Sequence, residues 1–136
     1  MTNLFAIGRD NAGGRVVYNG RRLDVRWRYF KENRELVRRM EAAMRSVANC
    51  YGATFGTLFT WQIFRRILTV HPLGGCNLSD SPARGVVSAD GEVHGNPGLF
   101  VADGSVIPTS IGFHPCMTIA GVSEHIAERV VASLRT

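Results

Sequence analysis

Long apolar runs are missing from this chain of 136 residues. None approaches the roughly 18 residues of a membrane-spanning helix, which excludes a helical integral membrane protein. Cysteine is scarce and scattered. Cys50, Cys76 and Cys116 form no C-x-x-C pair, and an odd count argues against a closed disulfide framework. Internal repeats are absent. The opening residues, Met1 to Arg9, lack the charged start and long apolar centre of a signal peptide, so the expected setting is reducing and cytoplasmic. Lysine is nearly absent as well: Lys31 stands alone among 16 basic residues, and the others are arginine.

What is present is an ordinary globular balance, 45% hydrophobic and 20% charged, at a length that fits one domain. A chain of this size buries roughly two-thirds of its unfolded surface on folding. Collagen, coiled coil and wholesale disorder are excluded. The net charge of +5 is unevenly spread. Residues 1–70 carry 13 basic and 5 acidic side chains, whereas residues 71–136 carry 3 and 6. The arginine pairs Arg21-Arg22, Arg38-Arg39 and Arg65-Arg66 accompany no nucleic-acid-binding motif. They read as a solvated helix face and strand edges, with no nucleic-acid partner.

Hydrophobic patterning divides the chain. Residues 3–8 form a short apolar run of buried-strand length. Val16-Val17-Tyr18 and Leu23-Asp24-Val25-Arg26-Trp27 read as strands around the hairpin signal Asn19-Gly20. The expectation over residues 3–27 is an antiparallel meander. Residues 31–49 are helical, with Leu36, Val37, Met40, Ala43, Met44 and Val47 at three and four spacing, a cap near Asn33 and an end at Gly52. Residues 54–70, with Phe55, Phe59, Trp61, Ile63, Phe64 and Ile67, fit either a helix or an irregular segment leading into a strand. Their aromatics suit plain core packing, or an apolar pocket for a sterol-like alcohol.

From His71 the composition turns to Gly, Pro, Ser and Asp, as in loops and tight turns. Val86–Ser88 and Glu92–His94 around Asp90-Gly91 read as a hairpin. Leu99–Ala102 is an apolar run of the kind that fills a buried strand, a parallel one among the alternatives. Residues 116–134 form a final helix with Met117, Ala120, Ile126, Ala127, Val130 and Leu134 on its apolar face.

Two stretches carry chemistry. In His71-Pro72-Leu73-Gly74-Gly75-Cys76 a histidine follows an apolar strand and precedes a turn that lets backbone approach a ligand closely. In the second, the run Leu99–Ala102 ends in Asp103-Gly104, and a loop leads to His114-Pro115-Cys116-Met117 at a helix start. Backbone N–H groups there favour negative charge. Paired loop histidines suit acid–base work near neutrality. A metal set would draw on His71, His94, His114, Cys76 and Cys116. No i, i+4 histidine pair or C-x-x-C supports it, so no metal is assigned. His94 and His125 read as surface or helix-face residues.

The ordered set of motifs closely resembles the C-terminal part of the glucose–methanol–choline (GMC) oxidoreductases. It runs His71-Pro-Leu-Gly-Gly-Cys, Gly85-Val-Val, Asp90-Gly-Glu-Val-His-Gly, Gly98-Leu-Phe-Val-Ala-Asp-Gly-Ser, Pro108-Thr-Ser and Gly112-Phe-His-Pro-Cys-Met-Thr-Ile-Ala. The likeness is greatest to the cholesterol-oxidase-like branch. It is dense over residues 69–131 and looser over 3–68. The resemblance implies an α+β, or mixed α/β, fragment of a two-domain flavoenzyme. Residues 1–68 would belong to the substrate-binding domain, an antiparallel sheet with a packed helix. Residues 69–136 would supply the C-terminal strand and helix of a Rossmann-like FAD-binding domain that carries the active-site histidines.

It implies that His71 and His114 are catalytic in moving hydride from a CH–OH group to the flavin. Gly74, Asp103, Gly104, His114, Pro115, Cys116 and Met117 would face the FAD. The dinucleotide-binding mark G-x-G-x-x-G is missing, since no two glycines stand in Gly-x-Gly spacing. The expectation is a C-terminal portion, inactive alone, whose partners are an alcohol substrate and an N-terminal FAD-binding polypeptide. The alternative is a degenerate remnant or an interaction module.

Overall fold

The computed structural model describes residues 3–57 and 69–135. The chain divides into two compact units, Met1–Val70 and His71–Thr136. Its class is α+β, with one two-stranded antiparallel sheet and helices among the described residues. No helix among them is long and apolar enough to cross a membrane.

In the first unit, β1 (Arg15–Tyr18) and β2 (Leu23–Arg26) pair antiparallel in the register Val16 to Val25 and Tyr18 to Leu23. The expected hairpin is present, and residues 19–22 form its turn. Asn19 Oδ1 accepts from the N–H groups of Arg21 and Arg22 at 3.1 and 3.0 Å, and Gly20 takes the positive φ of 87°. An Asx turn of this kind is why Asn and Gly belong here. The third strand of the expected meander does not form. Residues 3–8 are irregular, because an apolar run becomes a strand only with a partner, and none pairs with it among the described residues. Gly8 instead lies against the side chains of Leu36 and Met40, where an added Cβ would come 3.3 Å from Met40 Sδ.

Two helices follow, α1 (Tyr29–Glu32) and α2 (Arg34–Cys50). The break between them is Asn33. Its side chain does not cap α2; Oδ1 accepts from Asn11 N–H at 2.6 Å, which ties the N-terminal segment to the helix pair. Gly52 ends α2 at φ 62°, as expected of a left-handed C-terminal glycine. Leu36, Val37, Met40 and Met44 are half-buried, Ala48 is buried, and Val47 and Ala43 are exposed. The arginines on the opposite face are solvated, with Arg38 and Arg39 3.7 and 3.1 Å from Glu35. Trp27 packs edge-on to Tyr29 at 4.7 Å. Burial of the Tyr29 ring, with Asp10 nearby, pushes its hydroxyl above the ordinary tyrosine value. Of residues 54–70, positions 58–68, with Phe59, Trp61, Ile63, Phe64 and Ile67, lie outside the described residues.

Among the described residues the second unit holds the larger core. Val87, Val106, Ile107 and Ile126 are buried, and Leu73, Leu78, Val93, Phe100, Ile119, Val122 and Val130 pack around them. The expected hairpin forms: Val87 bridges Val93, Ser88 N–H donates to Glu92 O at 2.8 Å, and Gly91 turns at φ 80°. The run Leu99–Ala102 is not a parallel strand. It returns antiparallel beside the hairpin, with Glu92 bridging Phe100, Val93 N–H on Leu99 O at 2.8 Å and Val101 N–H on Gly91 O at 2.9 Å. The physical reason is proximity: glycine turns at Gly95 and Gly98, with Gly98 N–H on Glu92 Oε1 at 2.7 Å, bring the chain straight back.

The last helix, α3 (Cys116–Ser133), buries part of the expected stripe, Ile126 and Val130, together with two residues outside it. Ile119, Val122, Ile126 and Val130 face the core, whereas Met117, Ala120, Ala127 and Leu134 are exposed. A stripe of β-branched residues at three- and four-residue steps fits the narrow space above the hairpin. Met117 is thereby left exposed on the far side.

Candidate functional site

The site is built where two loops end. His71 opens the second unit and is half-buried; Pro72, Leu73 and Gly74 carry the chain away from it. The loop is anchored by three bonds: Gly74 N–H to Gly104 O at 3.3 Å, Cys76 N–H to Ser105 O at 3.0 Å, and Leu78 N–H to Val106 O at 3.0 Å. Gly74 sits at φ 81°, which a side chain would strain. The acceptors belong to the 3₁₀ turn Gly104–Val106, whose Ser105 N–H is capped by Asp103. Asp103 Oδ1 accepts from Ser105 N–H at 2.8 Å. Hydrogen bonds from Ser105, side chain first and then backbone, hold the Asp103 carboxyl below its ordinary value. Gly104 is buried, and a Cβ there would press on Pro72 O at 3.0 Å and Ile119 Cδ1 at 3.2 Å. Glycine is therefore needed for the turn to sit under the His71 loop.

The other side is the start of α3. Pro115 is the N-cap at φ −86° and ψ −1° and is buried, with no side-chain cap on the helix. Its carbonyl accepts from Ile119 N–H at 2.8 Å. The N–H groups of the first helical turn have no acceptor within a helix, so this end carries partial positive charge. His114 stands just before it.

The structure brings the two expected histidines together. The rings of His71 and His114 lie 4.6 Å apart, edge to face at 71°. Cys116 joins them, a proximity that sequence reasoning did not supply. Its Sγ lies 3.3 Å from His71 Nε2 and 4.0 Å from His114 Nε2. The His114-x-Cys116 spacing at a helix start was visible in the sequence; the approach of His71, 45 residues from Cys116, is a product of the tertiary fold. Phe113 and Met117 flank this group and are exposed, Met117 at 83%. Large apolar side chains in water beside paired imidazoles and a helix N-terminus mark a face built to be covered.

The remaining candidates separate. Gly74, Asp103 and Gly104 form the support beneath the His71 loop, and His114, Pro115, Cys116 and Met117 form the helix start. His94 is half-buried and structural, its Nε2 3.3 Å from both Ser79 Oγ and Ser79 O. Cys76 is half-buried, with its N–H in the anchoring ladder. Chemically, two imidazoles in contact can hold one hydroxyl oxygen between them, and the adjoining helix end favours negative charge beside them.

The GMC oxidoreductase family model matches residues 10–123. A cholesterol oxidase of Mycobacterium tuberculosis is 37% identical over 93 residues, 68% of this chain and 15% of that protein. A cholesterol oxidase of Acinetobacter baumannii is 33% identical over 86 residues, 63% of this chain and 16% of that protein. The long-chain-alcohol oxidase FAO4B of Arabidopsis thaliana is 33% identical over 67 residues, 49% of this chain and 9% of that protein. The chain thus spans about 15% of the length of the cholesterol oxidases it matches.

Proposed function

This chain belongs to the GMC oxidoreductase family, and from that premise we propose that its second unit is the flavin- and substrate-facing part of an oxidoreductase acting on the CH–OH group of an apolar alcohol. The observation that carries the reading is the edge-to-face contact of His71 and His114 at 4.6 Å beside the α3 N-terminus. The donor set fits a flavin: a helix end of partial positive charge, exposed Met117 and Phe113 to lie against a planar ring, and the Asp103 carboxylate on a turn. His114, Pro115, Cys116 and Met117 would hold FAD at the helix start, and Gly74, Asp103 and Gly104 would hold it at the turn. When bound, FAD supplies the hydride acceptor.

The chain's own residues do the rest. His71 accepts the alcohol's hydroxyl proton at a neutral ring nitrogen as the carbon loses hydride. His114 holds the same oxygen by a second hydrogen bond. The start of α3 stabilises negative charge that develops next to it. Phe113 and Met117 offer apolar contact, which favours a sterol or a long-chain alcohol over a sugar. The names of the cholesterol and long-chain-alcohol oxidases among its relatives support that choice.

The dinucleotide-binding half comes from outside these 136 residues, which hold no Gly-x-Gly. The test is spectroscopic. The chain alone is expected to leave the absorbance of added FAD unshifted. Adding a GMC polypeptide that carries the G-x-G-x-x-G half is expected to produce a bound-flavin spectrum that cholesterol or a long-chain alcohol bleaches without oxygen. Tight FAD binding by the chain alone would overturn the two-part reading. A bound flavin that neither alcohol bleaches would overturn the substrate class.

A further inference from the structure

We propose that His71, His114 and Cys116 form a binding site for a thiophilic divalent transition metal, with zinc as the representative ion. Among the described residues these three are the group of potential ligands that the fold gathers, their donor atoms all within 4.8 Å of one another. The distances suit zinc. Zn–S near 2.3 Å and Zn–N near 2.05 Å at tetrahedral angles place sulfur about 3.5 Å from each nitrogen. The observed separations of 3.3 and 4.0 Å bracket that value, and the two imidazole nitrogens, within 4.8 Å of each other, close to about 3.3 Å as the rings turn onto the ion.

The chemistry selects the ion. Two imidazoles and a thiolate favour zinc, and equally cobalt(II) as its probe, over magnesium or calcium, which prefer oxygen. Three protein ligands leave a fourth position for water, and the exposure of His114 and Cys116 gives an ion a way in. The ligands are held in place beforehand. His114 and Cys116 flank buried Pro115, and the His71 loop is tied down by its three backbone bonds. As the Zn–S bond forms, the Cys116 thiol proton passes to solvent, and water leaves the ion.

An ion there occupies ring nitrogens of both histidines. A bound metal therefore switches off the proton-accepting pair, a regulatory consequence that rests on the flavin reading. The binding itself does not, and it is measured with neither flavin nor alcohol present.

The experiment is a titration of the full, reduced chain with zinc against a chromophoric chelator, followed by cobalt(II) spectroscopy. One zinc per chain is expected, together with the intense visible bands of four-coordinate cobalt and a near-ultraviolet thiolate-to-cobalt band. Cys116→Ala should lose the thiolate band and weaken zinc at least tenfold. His114→Gln should weaken it comparably. Cys50→Ala should bind as the unaltered chain does, and circular dichroism should show every variant folded. Zinc binding that is unchanged in both Cys116→Ala and His114→Gln would overturn the site, as would six-coordinate cobalt in the unaltered chain. If Cys116→Ala binds normally while Cys50→Ala fails, the metal sits elsewhere and the proposal is equally lost.

Discussion

Asp103 shows how a single side chain serves the site without touching the histidines' chemistry. It caps the 3₁₀ turn on which the His71 loop rests, through the 2.8 Å bond from Ser105 N–H. Replacing it by alanine should cost about 1 kcal/mol, the usual value of a lost cap, read as a lower urea midpoint at neutral pH. The carboxyl is held below its ordinary value, so its contribution is fully present above the normal aspartate range near pH 3.9. It fades as pH falls through the lowered value. The gap between the two proteins should therefore close in acid, and a gap that widens there would contradict the assignment. His71 is tested by rate. His71→Ala in the flavin-loaded complex should slow anaerobic bleaching by roughly a hundred- to ten-thousand-fold, the range of a lost general base. Unchanged bleaching would remove His71 from the mechanism.

The elements that hold these residues meet at one point. The hairpin turn at Gly91 lies directly against Ile126 of α3, where an added Cβ would come within 2.6 Å of Ile126 Cγ2. Gly91→Ala should destabilise the second unit by about 1–3 kcal/mol through overpacking. Ile126→Ala, at a fully buried position, should cost about 2–5 kcal/mol through the cavity it leaves. Thermal unfolding followed by circular dichroism distinguishes these from surface changes such as Ala127→Ser, which should move the midpoint little. Local signals made much of this legible. Asn19-Gly20, Asp90-Gly91, Gly52 and the start of the last helix each act through turn or cap chemistry within a few residues. The elements that differ turn on which segment, if any, a run pairs with. Residues 3–8 carry the composition of a strand but find no ladder to join. The run Leu99–Ala102 has the look of a buried parallel strand, yet pairs with the arm that precedes it. The buried stripe of α3 is legible at Ile126 and Val130 but not at Ile119 and Val122, since helical spacing admits more than one apolar stripe and only the hairpin beneath decides. His71 and His114 were legible by their motifs, whereas Cys116 Sγ at 3.3 Å from His71 Nε2 was not.

At the scale of the whole chain, many large apolar side chains of the described residues stand in water. Val16, Tyr18, Leu23 and Val25 of the hairpin are all exposed, as are Phe113 and Met117 beside the histidines. Contiguous apolar surface of this kind drives association. The isolated chain should self-associate as its concentration rises, and Leu23→Lys with Val25→Lys should lower the apparent mass in light scattering. A chain that stays monomeric throughout would show that these side chains are harmless in water. The three-rung tie between the His71 loop and the 3₁₀ turn has a consequence in time. The amide protons of Cys76 and Leu78 exchange with deuterium only when those rungs open, and opening them frees the segment that carries His71. Their exchange rates are thus a clock for how often the paired imidazoles come apart, readable in the resting protein before any alcohol or metal is added.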